Sequence, residues 1–217
     1  MPPMMKTVLS AAILSTGLGL SAGLGLGAVA VPAMAQQVPG AADPSRVAAG
    51  RYTADPAHTQ ITFTVDHFGF NAYRGIAGGA SGTLQIDPAD PSKASVAMEV
   101  PVDGLVTTSA ELDEHLRSPD FFDMASPPTI TFRSTAVEVD GLTAKITGDL
   151  TIRGVTRPVV LDARFTGAGI NPMNQAATIG FEAETTIRRS DFGMTYIVPM
   201  VSDEVMLEIG AAFEAAS

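Results

Sequence analysis

From Arg51 onward the chain alternates apolar and polar side chains with a dominant period of two. Ile61, Phe63 and Val65 are interleaved with Thr62, Thr64 and Asp66. Val96, Met98, Val100 and Val102 repeat the pattern, and the longest run is Leu142, Ala144, Ile146, Gly148, Leu150 and Ile152. After a turn at Arg153-Gly154-Val155-Thr156 come Val159, Leu161, Ala163 and Phe165, then Ile179 to Ile187, then Val205 to Phe213. Successive side chains of a strand point to opposite faces, so these runs predict strands with one buried face and one wet face. Shorter strands are expected at Gly82–Ile86, Thr129–Thr135 and Ala136–Val139, the last entering a turn at Asp140-Gly141.

One segment has a helical period instead. Thr108 followed by Glu111 has the spacing of a capping box, Leu112 and Leu116 lie four apart on one face, and Ser118-Pro119 ends the run. About eight antiparallel strands with one short helix leave a sandwich or an up-and-down barrel. Long strands joined by short hairpins favour the barrel, which has no edges to protect. The fold class is therefore all-β, an eight-stranded antiparallel barrel with one helix. Its inward positions are Ile, Phe, Val, Leu and Ala, so its cavity is expected to be apolar.

The barrel does not begin at the N-terminus. Lys6 precedes an apolar stretch from Thr7 to Val31 that ends in Pro32-Ala33-Met34-Ala35. A positive start, an apolar middle and an A-x-A site make a secretory signal peptide, residues 1–35, cut before Gln36. The stretch is long enough to span a bilayer, but it carries five Gly and no positive cluster follows it. The expectation is cleavage, export to the periplasm and no stable membrane insertion afterwards. Residues 36–50, small and rich in Pro and Gly, are expected to be a flexible linker, and residues 51–215 the barrel domain.

Composition narrows the chemistry. The 217 residues hold 13 basic and 23 acidic side chains, a net charge of −10. Binding to nucleic acid is not expected, because neutralising phosphates needs clustered Lys and Arg. There is no Cys, which removes disulfides, thiolate metal sites and thiol nucleophiles. The three His, at 58, 67 and 115, have no known metal-ligand spacing. Ser190 and Asp191 would suit a hydrolytic triad only on paper, since no nucleophile-elbow motif surrounds the Ser. Neither a metal nor a catalytic residue is expected. Gly75, Gly78, Gly79 and Gly82 share only composition with a phosphate loop, and close backbone approach or a turn explains them better.

Candidate ligand contacts follow from the inward faces: Ile61, Phe63, Val65, Phe132, Ile146, Leu150, Leu161 and Phe181, with Phe68 beside them. Phe121 and Phe122, just past the helix, either cover a core or form a lid. Arg189 lies in a turn between two long strands, where it either forms an ion-paired structural clasp with Asp191 or, oriented by Asp191, meets a polar head at the barrel rim.

Five segments in order carry a family likeness. They are His58–His67 (HTQITFTVDH), Asp113–Asp123 (DEHLRSPDFFD), Pro128–Thr135 (PTITFRST), Gly148–Val159 (GDLTIRGVTRPV) and Arg189–Gly193 (RSDFG). Together they resemble the YceI-like family, over about Tyr52 to Phe213. Arg188 is a departure, standing where the family usually has Asn. The resemblance implies an extended, lipocalin-like barrel, exported to the periplasm, that holds an isoprenoid or similar long-chain lipid. A quinone-like molecule or a polyprenyl phosphate would both fit. It implies no established catalytic activity and no cofactor besides the lipid ligand, and it leaves a homodimer open. The alternatives are a ligand-free stress or interaction barrel and a barrel enzyme using His67 or His115 with a nearby acid.

Overall fold

The computed structural model describes residues 38–125 and 129–216. The expected signal peptide lies outside them. Among the described residues, no helix is long and apolar enough to cross a membrane.

Among the described residues, eleven strands form one sheet: β1 Gly50–Ala54, β2 Gln60–His67, β3 Asn71–Ala77, β4 Ser81–Ile86, β5 Ser95–Pro101, β6 Leu105–Val106, β7 Thr129–Asp140, β8 Thr143–Ile152, β9 Val155–Ile170, β10 Ala177–Arg188 and β11 Glu204–Ala215. The helix α1, Ala110–Leu116, lies between β6 and β7. The short strands join into longer staves. β1 and β2 both pair with β11, β4 and β3 pair in turn with β1 and β2, and β5 and β6 pair with β4 and β3. With β7 to β11 running in antiparallel order, this makes eight staves in an up-and-down barrel, closed where β1 and β2 meet β11.

The alternating runs are strands, as expected, but their limits differ in instructive ways. Thr129–Thr135 and Ala136–Val139 form a single strand, β7, whose register shifts between Ser134 and Ala136. That extra residue is a bulge, and it breaks the alternation that a sequence reading relies on. β3 carries Gly75 opposite Phe63, and this Gly weakens its apolar pattern. The β8–β9 turn contains only Arg153 and Gly154, both at positive φ. The helix is capped by Ser109, which accepts from the Leu112 N–H, and not by Thr108. Thr107 is tied instead to Asp113, whose carboxylate accepts from both its N–H and its hydroxyl.

The segment expected to be a flexible linker makes defined contacts. Ala41 pairs with Ala168 of β9, Pro44–Arg46 is a turn of 3-10 helix, and Val47 is buried against Tyr52, Leu84 and Phe165. Tyr52 donates its hydroxyl to Ala48 O at 2.9 Å. This segment, the β7–β8 turn and the β9–β10 loop gather at one end of the barrel. The β2–β3 turn, α1, the β8–β9 turn and the segment 189–203 gather at the other.

Candidate functional site: an apolar lumen

A cavity of about 940 Å³ runs through the barrel. Its wall is made by the inward half of the alternating runs. Ile61, Phe63 and Val65 of β2 face it, as do Ile146 and Leu150 of β8, Leu161 of β9, Phe181 of β10 and Phe132 of β7. Phe121 and Phe122 line it too, together with Leu112 and Leu116 of α1. Several of these inward side chains, among them Ile61, Phe63, Ile146, Leu161 and Phe181, are only half-buried. In a filled barrel they would be sealed against one another, so their partial exposure marks empty space on the inner face.

Glycine helps keep that space open. A Cβ on Gly75 would overlap the Phe63 ring, and one on Gly148 would overlap the Phe132 ring. Each ring therefore lies against a stretch of bare backbone on a neighbouring strand and takes less of the lumen.

Lining residues that are also exposed occur at both ends: Pro88 and Leu142 at one, Glu111 and Tyr196 at the other. The helix end is the more polar and aromatic. His115, Phe121 and Tyr196 make edge-on ring contacts at 5.0 to 5.8 Å. His115 Nε2 is 3.1 Å from Asp120 Oδ2. His67 and Tyr73 line the same end, and the Tyr73 hydroxyl meets that of Thr108 at 3.2 Å. Sequence reasoning missed Tyr196 and Tyr73, because neither lies in an alternating run long enough to assign its face.

Two expected contacts are corrected. Phe68 does not line the lumen; it sits in the β2–β3 turn at positive φ, 42% exposed. Asp191 is exposed and does not orient Arg189. Arg189 itself borders the lumen but is 4% exposed and spends its donors on the backbone. Its Nε–H donates to Ser202 O, Nη1 to Met194 O and Tyr196 O, and Nη2 to Val201 O, all between 2.8 and 3.1 Å. Four of its five N–H groups are thereby committed. Burial lowers the guanidinium pKa from its ordinary value, opposed by the charge of Asp203. Arg189 is a clasp on the segment 194–202, and that role leaves it little to offer a ligand phosphate.

The carboxylate that matters here is Asp203. It accepts from the Ser190 N–H at 2.9 Å and from the Ser190 hydroxyl at 2.7 Å. Ser190 is thus tied to the far side of the loop. Residues Arg189–Phe192 form a 3-10 helix whose N-cap, Arg188, makes no side-chain cap. An Asn at that position would supply one. Here Asp203 reaches across from the far side of the loop to satisfy the N–H that the missing cap leaves open. Burial pushes the Asp203 carboxyl up, but the Ser190 bonds and the charges of Arg189 and Arg188 outweigh it and leave it below its ordinary value. Among the described residues, no group of three His, Asp or Glu is placed to hold a metal ion.

A closed eight-stranded meander around an apolar lumen defines a lipocalin-like β-barrel. Residues 52–213 match the model of the YceI-like domain. Protein YceI of Salmonella arizonae is 38% identical over 152 residues, covering 70% of this chain and 79% of that protein. The chain belongs to the YceI-like family. Its fold is shared by Burkholderia cenocepacia BcnA, with a TM-score of 0.66 and 22% identity over 73% of this chain and 98% of that one. A polyisoprenoid binding domain from Saccharophagus degradans, implicated in plant cell wall breakdown, has the same fold at a TM-score of 0.58 and 14% identity, over 76% and 98%.

Proposed function

We propose that this protein is an exported, periplasmic lipid-binding protein that buries an isoprenoid or similar long-chain tail in its lumen, for transport, storage or sequestration. The observation that carries this reading is the cavity of about 940 Å³ walled by aliphatic side chains and Phe. A volume near the upper end of the range for small-molecule sites suits a long tail. Each CH₂ withdrawn from water contributes about 0.8 kcal/mol, so a tail needs few polar contacts to be held. A relative in fold named for polyisoprenoid binding supports the same reading. The commitment of Arg189 to backbone carbonyls favours a neutral head, such as a quinone or alcohol, over a phosphate. The head would rest among His67, Tyr73, His115 and Tyr196.

Native mass spectrometry of protein purified without detergent tests this proposal. A co-purifying mass of several hundred daltons, recovered by organic extraction, is the expected result, and a clean apo mass with an empty extract opposes it. Sequencing the same material should give an N-terminus at Gln36, whereas an intact N-terminus in the membrane fraction would replace export with anchoring.

A further inference from the structure

Apolar side chains stand in water around the helix end of the barrel, and one of them is held there by a costly turn. The β2–β3 turn closes with the Phe70 N–H donating to His67 O at 3.0 Å. Its two central residues, Phe68 and Gly69, have φ of 58° and 70°. A hairpin turn with two left-handed central residues favours Asn-Gly or Asp-Gly, because a side chain such as Phe crowds its own backbone there. The turn is nevertheless pinned on both sides. Gly69 N–H donates to Asp66 Oδ1 at 2.7 Å, and Phe68 N–H donates to Met200 O at 2.8 Å. The outcome is a fixed tip with Phe70 87% exposed, Phe68 42% and the neighbouring Met200 55%. Scattered exposed apolar side chains are ordinary on a soluble surface, but two Phe and a Met held side by side are not.

The position of this tip names its partner. His67, immediately before the turn, and Val201, immediately after Met200, both line the lumen, and their backbones are bridged. Tyr196, 42% exposed, lines the lumen as well. The exposed patch is therefore continuous with the lip of the cavity. We infer that this lip is a docking surface for a lipid bilayer, with Phe68, Phe70 and Met200 entering the headgroup–acyl boundary while the lumen opens toward the membrane. The inference rests on the carrier reading above, since a tail insoluble in water must pass between membrane and lumen. Apolar and aromatic side chains partition into that boundary without any charge attraction. Asp66 and Asp120 flank the lip and the whole chain is acidic, so the surface fits neutral or zwitterionic lipid and not an anionic one.

The chain has no Trp, so Phe70→Trp places a single reporter at the tip with little change in character. Its emission should shift to the blue on adding phosphatidylcholine vesicles and be quenched when the acyl chains are brominated. Flotation of the wild-type protein with the same vesicles should be weak, reversible and insensitive to salt. The pair Phe70→Asp and Met200→Asp should lower vesicle partitioning by about tenfold or more, as expected for losing most of an apolar contact. Thermal melting should be unchanged, because both side chains are exposed. Met173→Asp, at a 90% exposed Met in the β9–β10 loop at the opposite end, should leave partitioning as it was. The docking surface is overturned if wild-type protein does not float, if the double variant floats as well as wild type, or if binding needs phosphatidylglycerol and vanishes in salt. Organic extraction of each sample separates the two ideas: lipid-loaded protein that ignores vesicles loses the docking surface alone, and lipid-free protein that floats loses only the carrier reading.

Discussion

The two stretches of barrel wall on β10 and β11 obey the same alternation and end differently. At the end nearer the N-terminal segment, Ile179 and Phe213 pack with Tyr52, Phe165 and Val47 in a buried cluster, of which Val47, Phe165 and Phe213 also border the lumen. A few residues along the same strands, Phe181, Ala183 and Leu207 are inward but only partly covered, and they border the lumen. Period-two patterning says which face is turned inward, and it is silent on whether that inner face is filled. What decides is the size of the residues opposite: large rings converge in the buried cluster, while Ala183, Gly148 and Gly75 leave room farther along. One barrel thus combines a core that stabilises with a cavity that does not.

The largest expected effects come from the buried cluster. Phe213→Ala should cost about 3–5 kcal/mol in chemical denaturation, the range for truncating a buried Phe. Leu161→Ala, in the half-buried wall of the lumen, should cost clearly less, since one side of Leu161 already faces open space. Equal costs at the two positions would mean that the lumen is collapsed in solution.

Arg189→Leu comes next. It strands backbone carbonyls that now accept charged donors, and each lost bond to a charged group is worth about 1.5–3 kcal/mol, partly recovered by water. The expected outcome is a lower melting temperature with unchanged lipid content per folded molecule. A normal melt with lost lipid would restore Arg189 to the ligand.

Much of this architecture was legible in the chain itself. The strands, the helix face made by Leu112 and Leu116, and the inward Ile, Phe and Leu side chains follow from periodicity alone. The failures cluster where the controlling partner is distant in sequence. Arg189 and Asp191 are two residues apart and of opposite charge, so pairing them was natural. In the fold, the chain from 194 to 203 returns beneath the 3-10 helix, delivering carbonyls to Arg189 and the Asp203 carboxylate to Ser190. No local pattern announces that return. Phe68 was misplaced for a related reason: its turn reverses the strand one residue after the alternation stops.

Smaller effects sharpen the same contrast. Gly148→Ala should force the Phe132 ring toward the lumen and cost about 1–3 kcal/mol, as overpacking does. It should also shift the co-purifying lipids toward shorter tails, which mass spectrometry of the extract would reveal.

The smallest change concerns the missing cap. Asp203→Ala should cost about 1 kcal/mol, as for a lost N-cap, and Arg188→Asn should restore part of it by capping from within the helix. Because the folded carboxyl lies below its ordinary value, its stabilisation is present above the unfolded pKa of about 3.9 and fades as pH falls through the folded value. Acid titration of Asp203→Asn should therefore show a shallower loss of stability below about pH 4 than wild type.

Ala183→Trp distinguishes a lumen that is a lipid site from one that is a packing defect. Ala183 faces the lumen beside Phe181, so an indole there fills the space a tail would occupy without removing an existing contact. The variant should fold, with a melting temperature at or above that of lipid-extracted wild type. The lipid mass seen on wild type by native mass spectrometry should be gone. Lipid retained on Ala183→Trp at wild-type stoichiometry would place the ligand elsewhere and contradict a lipid site in the lumen.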